Sequence, residues 1–262
     1  MRRNGDEGAA VPADDRHYRE FRPPPDLARH IRCLWTHRCP PGPASPVTVL
    51  PDGCVDLLWM GGRLVVAGPD ETAAVATPAP GETVTGVRFR PGAALPWLGL
   101  PMAAIVGQRV PLGDLWGEAR AGGLADRLGE APTPAERLRR LAEGLGRLAP
   151  AMAPPAPDMA ALFALLDRPP PGTGLAAVCD RLAASERSLR RRCHAAFGYG
   201  PKTLDRILRF QRFLWLARAP GGRALAALAA DAGYADQAHL SREVRRLSGR
   251  TPARLLRPDG TA

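Results

Sequence analysis

Residues Val178 to Pro201 read VCDRLAASERSLRRRCHAAFGYGP, and 51 positions further on Ala229 to Pro252 read AADAGYADQAHLSREVRRLSGRTP. The two stretches share Leu189/Leu240, Arg191/Arg242, Gly198/Gly249 and Pro201/Pro252, with Ser185 opposite Asp236. Ser and Asp side chains accept the unpaired N–H groups at a helix start, and glycine enters the left-handed conformation that ends one. Each stretch therefore describes a short helix, a tight turn and a longer capped helix. Two copies of that pattern predict two helix-turn-helix units in one chain.

In the first unit Leu175, Val178, Cys179 and Leu182 fall on one helical face, and in the capped helix Leu189, Cys193 and Phe197 recur at i, i+4 and i+8. That leaves Arg187, Arg190 and Arg191 pointing outward. In the second unit Ala226, Ala229 and Ala230 make a slim packing helix, Gly233 and Tyr234 a turn, and Leu240, Val244 and Leu247 an inner face. Gln237, His239, Arg242 and Arg245 face outward. Arginine can meet guanine O6 and N7 together, glutamine can pair with adenine, and a neutral histidine can donate or accept. The plainer alternative is that some of these groups clamp phosphate or only solvate the surface. Between the units Pro201 to Ala219 reads as a helix with Leu204, Ile207, Leu208 and Trp215 on its apolar side.

Charge is distributed unequally. Residues 1–162 hold 18 Arg against 18 Asp and Glu, whereas residues 163–262 hold 17 Arg and Lys202 against 8 acids, so the formal charge of +10 sits with the repeat. A basic surface confined to one domain is the electrostatic footprint of phosphate binding. Arginine supplies 35 of the 36 basic residues, which marks a compositional bias, and the argument rests on their placement.

The segments LAASERSLRRRCHAAFGYGPKTLDRILRFQR, 182–212, and GYADQAHLSREVRRLSGRTP, 233–252, resemble the C-terminal DNA-binding domain of the AraC/XylS family of bacterial transcription regulators. The resemblance spans about residues 175–256. It implies seven helices, two helix-turn-helix units and a connecting helix, with Arg187, Arg190 and Arg191 reading DNA from the first unit and Gln237, Ala238, His239 and Arg242 from the second. Two positions depart from the family pattern: Cys193 stands where a bulky phenylalanine is usual, and Ala238 offers only a methyl. Further upstream LPDGCVDLLW (50–59), RLVVAGP (63–69), GVRFRPGAA (86–94) and VPLGDLWG (110–117) resemble the N-terminal domain of a largely actinobacterial branch of AraC-like regulators. That implies a sensor or dimerisation module, with no ligand attached to it.

The N-terminal half has its own punctuation. Runs at Val47–Leu50, Cys54–Trp59, Arg63–Ala67 and Thr83–Arg90, parted by Pro-Asp-Gly, Gly-Gly and Pro-Gly, predict a small β-rich domain. Leu138, Leu141, Leu145 and Leu148 predict a helix over 135–148. Proline and glycine gather at 149–157 and 169–174 around a helix candidate at 158–167. The expected organisation is a tail over 1–19, a sensor or dimerisation domain over 20–150, a linker over 151–157 and a double helix-turn-helix domain over 158–257. The fold class is α+β, a β-rich domain with accessory helices followed by an all-α domain.

The function expected is a sequence-specific transcription regulator whose two heads read adjacent major-groove half-sites, modulated through the N-terminal domain. Its partner is a promoter duplex; a small-molecule effector and a homodimer fit the N-terminal module, and RNA polymerase follows for an activator. No cofactor is called for, and no enzyme motif of the G-x-S-x-G, H-E-x-x-H or P-loop kind occurs. The N-terminus lacks an apolar run and no stretch approaches the roughly 20 apolar residues that span a bilayer, so the expected location is cytoplasmic.

Alternatives stay open. A low-specificity structural DNA-binding protein would use the arginines for electrostatics alone. Cys33, His37, Cys39 and Cys54 carry chemistry suited to zinc or a thiol switch, against the plainer reading of buried core cysteines. Trp35, Trp59, Trp97 and Trp116 could line an apolar pocket but fit a core better, and Asp52, Asp56, Arg88 and Arg90 could orient an effector but fit turn capping and strand pairing better.

Overall fold

In the computed structural model, residues 17–43, 46–169, 175–219 and 222–257 are described. Most of the N-terminal tail and residues 170–174 of the proline- and glycine-rich stretch lie outside them. The chain is α+β, a strand-rich unit followed by a helical one. Among the described residues no helix is long and apolar enough to cross a membrane.

The first unit is built on a six-stranded antiparallel sheet. Its strands are β1 (Tyr18–Phe21), β2 (Ile31–Arg38), β4 (Asp56–Met60), β5 (Arg63–Ala67), β7 (Thr83–Phe89) and β8 (Arg109–Pro111), in the order β1-β2-β7-β4-β5-β8. A separate ribbon pairs β3 (Val47–Val49) with β6 (Ala74–Ala76). Met60 opposes Arg63 across the β4–β5 hairpin, so the loop is Gly61-Gly62, and both glycines have positive φ (58° and 74°) as a tight two-residue turn demands.

Side chains alternate across this sheet. Leu34, Leu57, Trp59, Val87 and Phe89 face one way, into the main core. Over them lie α1 (Ala94–Leu98), α2 (Leu112–Trp116), α3 (Glu118–Gly129) and α4 (Pro134–Gly146). Helix α4 presents Leu138, Leu141 and Leu145, as their spacing predicts, and its start is capped by Thr133, whose hydroxyl accepts the Glu136 N–H at 3.1 Å. Cys33, Trp35, Leu58, Val65 and Val84 form a smaller cluster on the other face. There Trp35 lies across the strand partner Gly86, where a Cβ would stand 2.7 Å from the indole.

The second unit contains seven helices among the described residues: α5 (Pro157–Asp167), α6 (Leu175–Arg181), α7 (Glu186–Phe197), α8 (Pro201–Ala217), α9 (Leu225–Ala232), α10 (Gln237–Ser248) and α11 (Pro252–Leu255). They share one apolar core that includes Leu189, Leu204, Phe210, Phe213 and Leu240. Helix α8 runs through its middle, against α5, α7, α9 and α10. Arg212 of α8 is its polar staple. The guanidinium donates to the carbonyls of Leu166, Asp167 and Ala232, at 2.9, 2.7 and 2.9 Å, and so closes the ends of α5 and α9, whose last carbonyls have no helical partner.

Candidate nucleic-acid interface

The two capped helices α7 and α10 carry the outward residues. Each starts as the sequence dictates: Ser185 Oγ accepts the Ser188 N–H at 3.2 Å, and Asp236 Oδ1 accepts the His239 N–H at 2.6 Å. Each ends on a glycine in the left-handed region, Gly198 at φ 90° and Gly249 at φ 72°. The turns before them differ. The second unit uses Gly233 at φ 88°, whereas the first holds Ala183 at φ 45°, the one non-glycine residue with positive φ among the described residues.

Arg187, Arg190 and Arg191 are all exposed on α7, opposite the buried Leu189, Cys193 and Phe197. On α10 Gln237, Ala238, Arg242 and Arg245 are exposed, and Leu240, Val244 and Leu247 are buried. Cys193, fully buried, fills the place of a bulkier core residue. His239 is half-buried. Its Nδ1 accepts the Ala235 N–H at 3.4 Å and its ring meets Tyr234 edge-on at 5.3 Å. The proton of the neutral ring then belongs on Nε2, making His239 a donor toward solvent.

Pairing sorts the arginines of this unit. Arg192 is held by Asp158, Arg206 by Glu243, Arg209 by Asp205 and Arg223 by Asp231, while Arg212 is spent on backbone carbonyls. These serve the scaffold. The exposed arginines of α7 and α10 enter none of these scaffold pairs, and Arg246 joins them one turn after Arg242. Arg246 is an exposed α10 residue that the outward pattern did not single out, although its i+4 spacing from Arg242 was the signal. Helix α8, 17 residues long, spans about 26 Å at ~1.5 Å per residue, against about 34 Å for a DNA turn.

A family model described as a helix-turn-helix domain matches residues 178–258. The chain carries an AraC-type helix-turn-helix domain. That domain supports a DNA-binding transcription regulator. A second model, described as a domain of unknown function (DUF6597), matches residues 19–111. No curated protein matches the chain. Among solved structures, apo ToxT of Vibrio cholerae strain SCE256 is similar over 85% of this chain and 96% of its own, at 11% identity and a TM-score of 0.46. The P21 crystal form of ToxT from the same species is similar over 85% and 97%, at 11% identity and a TM-score of 0.45.

The candidate residues outside the AraC-type domain do not assemble into a metal or thiol site. Among the described residues no group of three His, Cys, Asp or Glu is placed to hold a metal ion, which corrects the zinc alternative for Cys33, His37, Cys39 and Cys54. Cys33, Cys39 and Cys54 are buried free thiols. Burial pushes the Cys33 thiol up to about 12, and burial together with Asp52 raises Cys54 well beyond its ordinary range. Thiols so placed are poor nucleophiles and poor switches. Trp35, Trp59 and Trp97 are buried in the two cores of the strand-rich unit, and Trp116 packs beside them with its Nε1 donating to the Trp97 carbonyl at 2.7 Å.

Asp52, Asp56 and Arg88 do come together. Arg88 on β7 makes a two-pronged pair with Asp56 on β4, 3.0 Å at each prong, and reaches Asp52 at 3.3 Å. Burial alone would lower the guanidinium; the two carboxylates more than reverse that and hold it well above its ordinary value. Asp52 also accepts the Cys54 N–H at 2.9 Å, so the Pro-Asp-Gly-Cys turn is tied to the sheet. Arg90 lies apart from them and donates to the Ala28 carbonyl at 2.7 Å.

Proposed function

We propose that this protein selects promoters by sequence, reading two adjacent major-groove half-sites with α7 and α10, and that it acts by binding, without chemistry of its own. The observation that carries the reading is the sorting of arginines: Arg192, Arg206, Arg209 and Arg223 are consumed by pairs, and the exposed arginines of the two capped helices enter none of those pairs and stand beside Gln237 and the His239 donor. Phosphate contacts position a protein on DNA, and base-edge contacts specify. Gln237, Arg242 and Arg187 have the chemistry for the second task, and the connecting α8, about 26 Å long, is of the order of one DNA turn.

Control through the N-terminal domain belongs to the same proposal. A groove of about 730 Å³ opens between β1, β2 and α4, floored by Leu34, Leu138 and Ala142, with Phe21 at its wall and Arg19 and Arg22 exposed at its rim. Asp26 and Glu143 line it as well as Arg19, Arg22 and Arg139, so an amphipathic small molecule with a polar end matches that lining.

The experiment is DNA-affinity sequencing with the full-length protein and sheared genomic DNA from its source at moderate salt. A recurrent motif of two elements about one helical turn apart is the expected result. Enrichment with no motif, together with equal losses on preferred and random DNA for Gln237→Ala and Arg242→Ala, would leave a low-specificity structural protein instead.

A further inference from the structure

Among the described residues the strand-rich unit touches the AraC-type domain on each reader and on the helix that joins them. At the end of α7, Gly198 is wedged so closely that a Cβ would stand 2.7 Å from the side chains of both Pro69 and Val106 and 3.3 Å from the Met102 carbonyl. At the connector, Gln211 Nε2 on α8 donates to the Pro51 carbonyl at 2.6 Å. On the same turn Gly53 has φ 80°, and a Cβ there would stand 3.5 Å from Leu204 and Phe163 and 3.7 Å from the Tyr199 hydroxyl. At the end of α10, the Ala73 N–H donates to the Leu247 carbonyl at 2.7 Å, and Arg250 reaches Thr48 Oγ1 at 3.4 Å.

These contacts lie toward the C-terminal ends of α7 and α10 and on α8. On each reader the contact falls at the last turn or just past the glycine cap, whereas the outward residues begin at the first turn with Arg187 and with Gln237. The strand-rich unit therefore leaves the DNA-facing ends open while touching both heads and their connector. A body fixed to two heads at once determines their relative rotation, and a half-site spacing is the DNA equivalent of that rotation.

We infer that the strand-rich unit sets the half-site spacing this protein accepts, with Gln211 and the Ala73 N–H as positioning groups. The inference rests on the two-headed reading above. The Pro51–Cys54 turn is its pivot, because Asp52 joins the sheet through Arg88 while the next residue, Gly53, meets α8 and α5. A change at β7 thus reaches the connector through two residues. Coupling of this kind acts by shifting between arrangements of the heads and needs no closure over the reading surface.

The test uses full-length protein and duplexes carrying the preferred two-element motif with zero, one, two or five base pairs inserted between the elements, plus a duplex with one element. The variants are Gln211→Met, which keeps the bulk and loses the donor, and Ala73→Pro, which removes the N–H. Far-UV circular dichroism and binding to the single element report that each variant is folded. One base pair turns the second element by about 34°, and wild type is expected to lose about tenfold in affinity from that insertion, the size of one lost base contact. Either variant is expected to cut that loss to under about threefold with single-element binding unchanged. A variant that keeps the wild-type spacing profile overturns the inference. Wild-type protein that binds one-element and two-element duplexes equally overturns the two-headed reading itself, which is a different result.

Discussion

Arg206 on the connecting helix is paired with Glu243 on the second reader, Nε to Oε2 at 2.6 Å, across 37 residues of sequence. Both side chains are largely but not wholly buried, so solvent screens part of the attraction. The pair joins α10 to α8. A double-mutant cycle of Arg206→Ala and Glu243→Ala, followed by urea denaturation, is expected to give a coupling of about 1 kcal/mol. A coupling indistinguishable from zero would mean that packing alone holds the second reader.

Arg212 carries a heavier consequence. Its guanidinium serves three carbonyls at the ends of two helices, and removing it leaves those acceptors partly buried and unpaired. Arg212→Ala should cost about 2–4 kcal/mol, the penalty for more than one unsatisfied buried group. Arg212→Lys should recover only part of it, because an ammonium lacks the planar fork. Thermal denaturation of the three proteins checks the order.

Reader residues should separate by what they do to salt dependence. Arg246, exposed one turn beyond Arg242, is expected to touch phosphate. Arg246→Ala should weaken preferred and random DNA alike and lower the salt slope by about 0.9. Gln237→Ala should instead cost about 1–3 kcal/mol on the preferred sequence and leave the slope unchanged. Binding isotherms at four salt concentrations resolve the two patterns.

Helix α4 gives a pH prediction. Glu136 is held by hydrogen bonds from Arg139 and Arg140, which lower its carboxyl from 4.5 to about 2. A folded-state value below the unfolded one means stability that is present above 4.5 and lost as pH falls through about 2. Glu136→Gln should therefore be less stable than wild type at neutral pH, with the gap closing between those values. Because its partner Arg139 is exposed, raised salt should shrink the gap at every pH. Urea midpoints measured across that range test it, and a gap that persists at the acid end would rule out the charge.

The helical unit is legible in the sequence because its information is local. Caps at Ser185 and Asp236, glycines at 198 and 249 and the apolar faces of α7 and α10 all lie within one turn of what they control. Strands β4, β5 and β7 are legible for the same reason, being bounded by Gly-Gly and Pro-Gly turns. Strand β2 is not. Ile31–Arg38 is covered on both faces at Cys33, Leu34 and Trp35, so the two-residue alternation disappears, and charges interrupt what remains. Nor can sequence sort the arginines, since the partners of Arg192 and Arg206 lie 34 and 37 residues away. The turn at 51–54 reads as a turn, but only the folded chain shows what it docks against.

Arg88 sits between Asp52 and Asp56 with little access to water. Losing the arginine would strand two carboxylates, whereas losing one carboxylate would leave the arginine its other partner, so Arg88 is the member of the three that cannot change alone. That side of the sheet is therefore closed to gradual change, while the rim at Arg19, Phe21 and Arg22 is open to it. Substitutions along that rim can therefore accumulate one at a time while the turn that docks on the connecting helix keeps its anchor in the sheet.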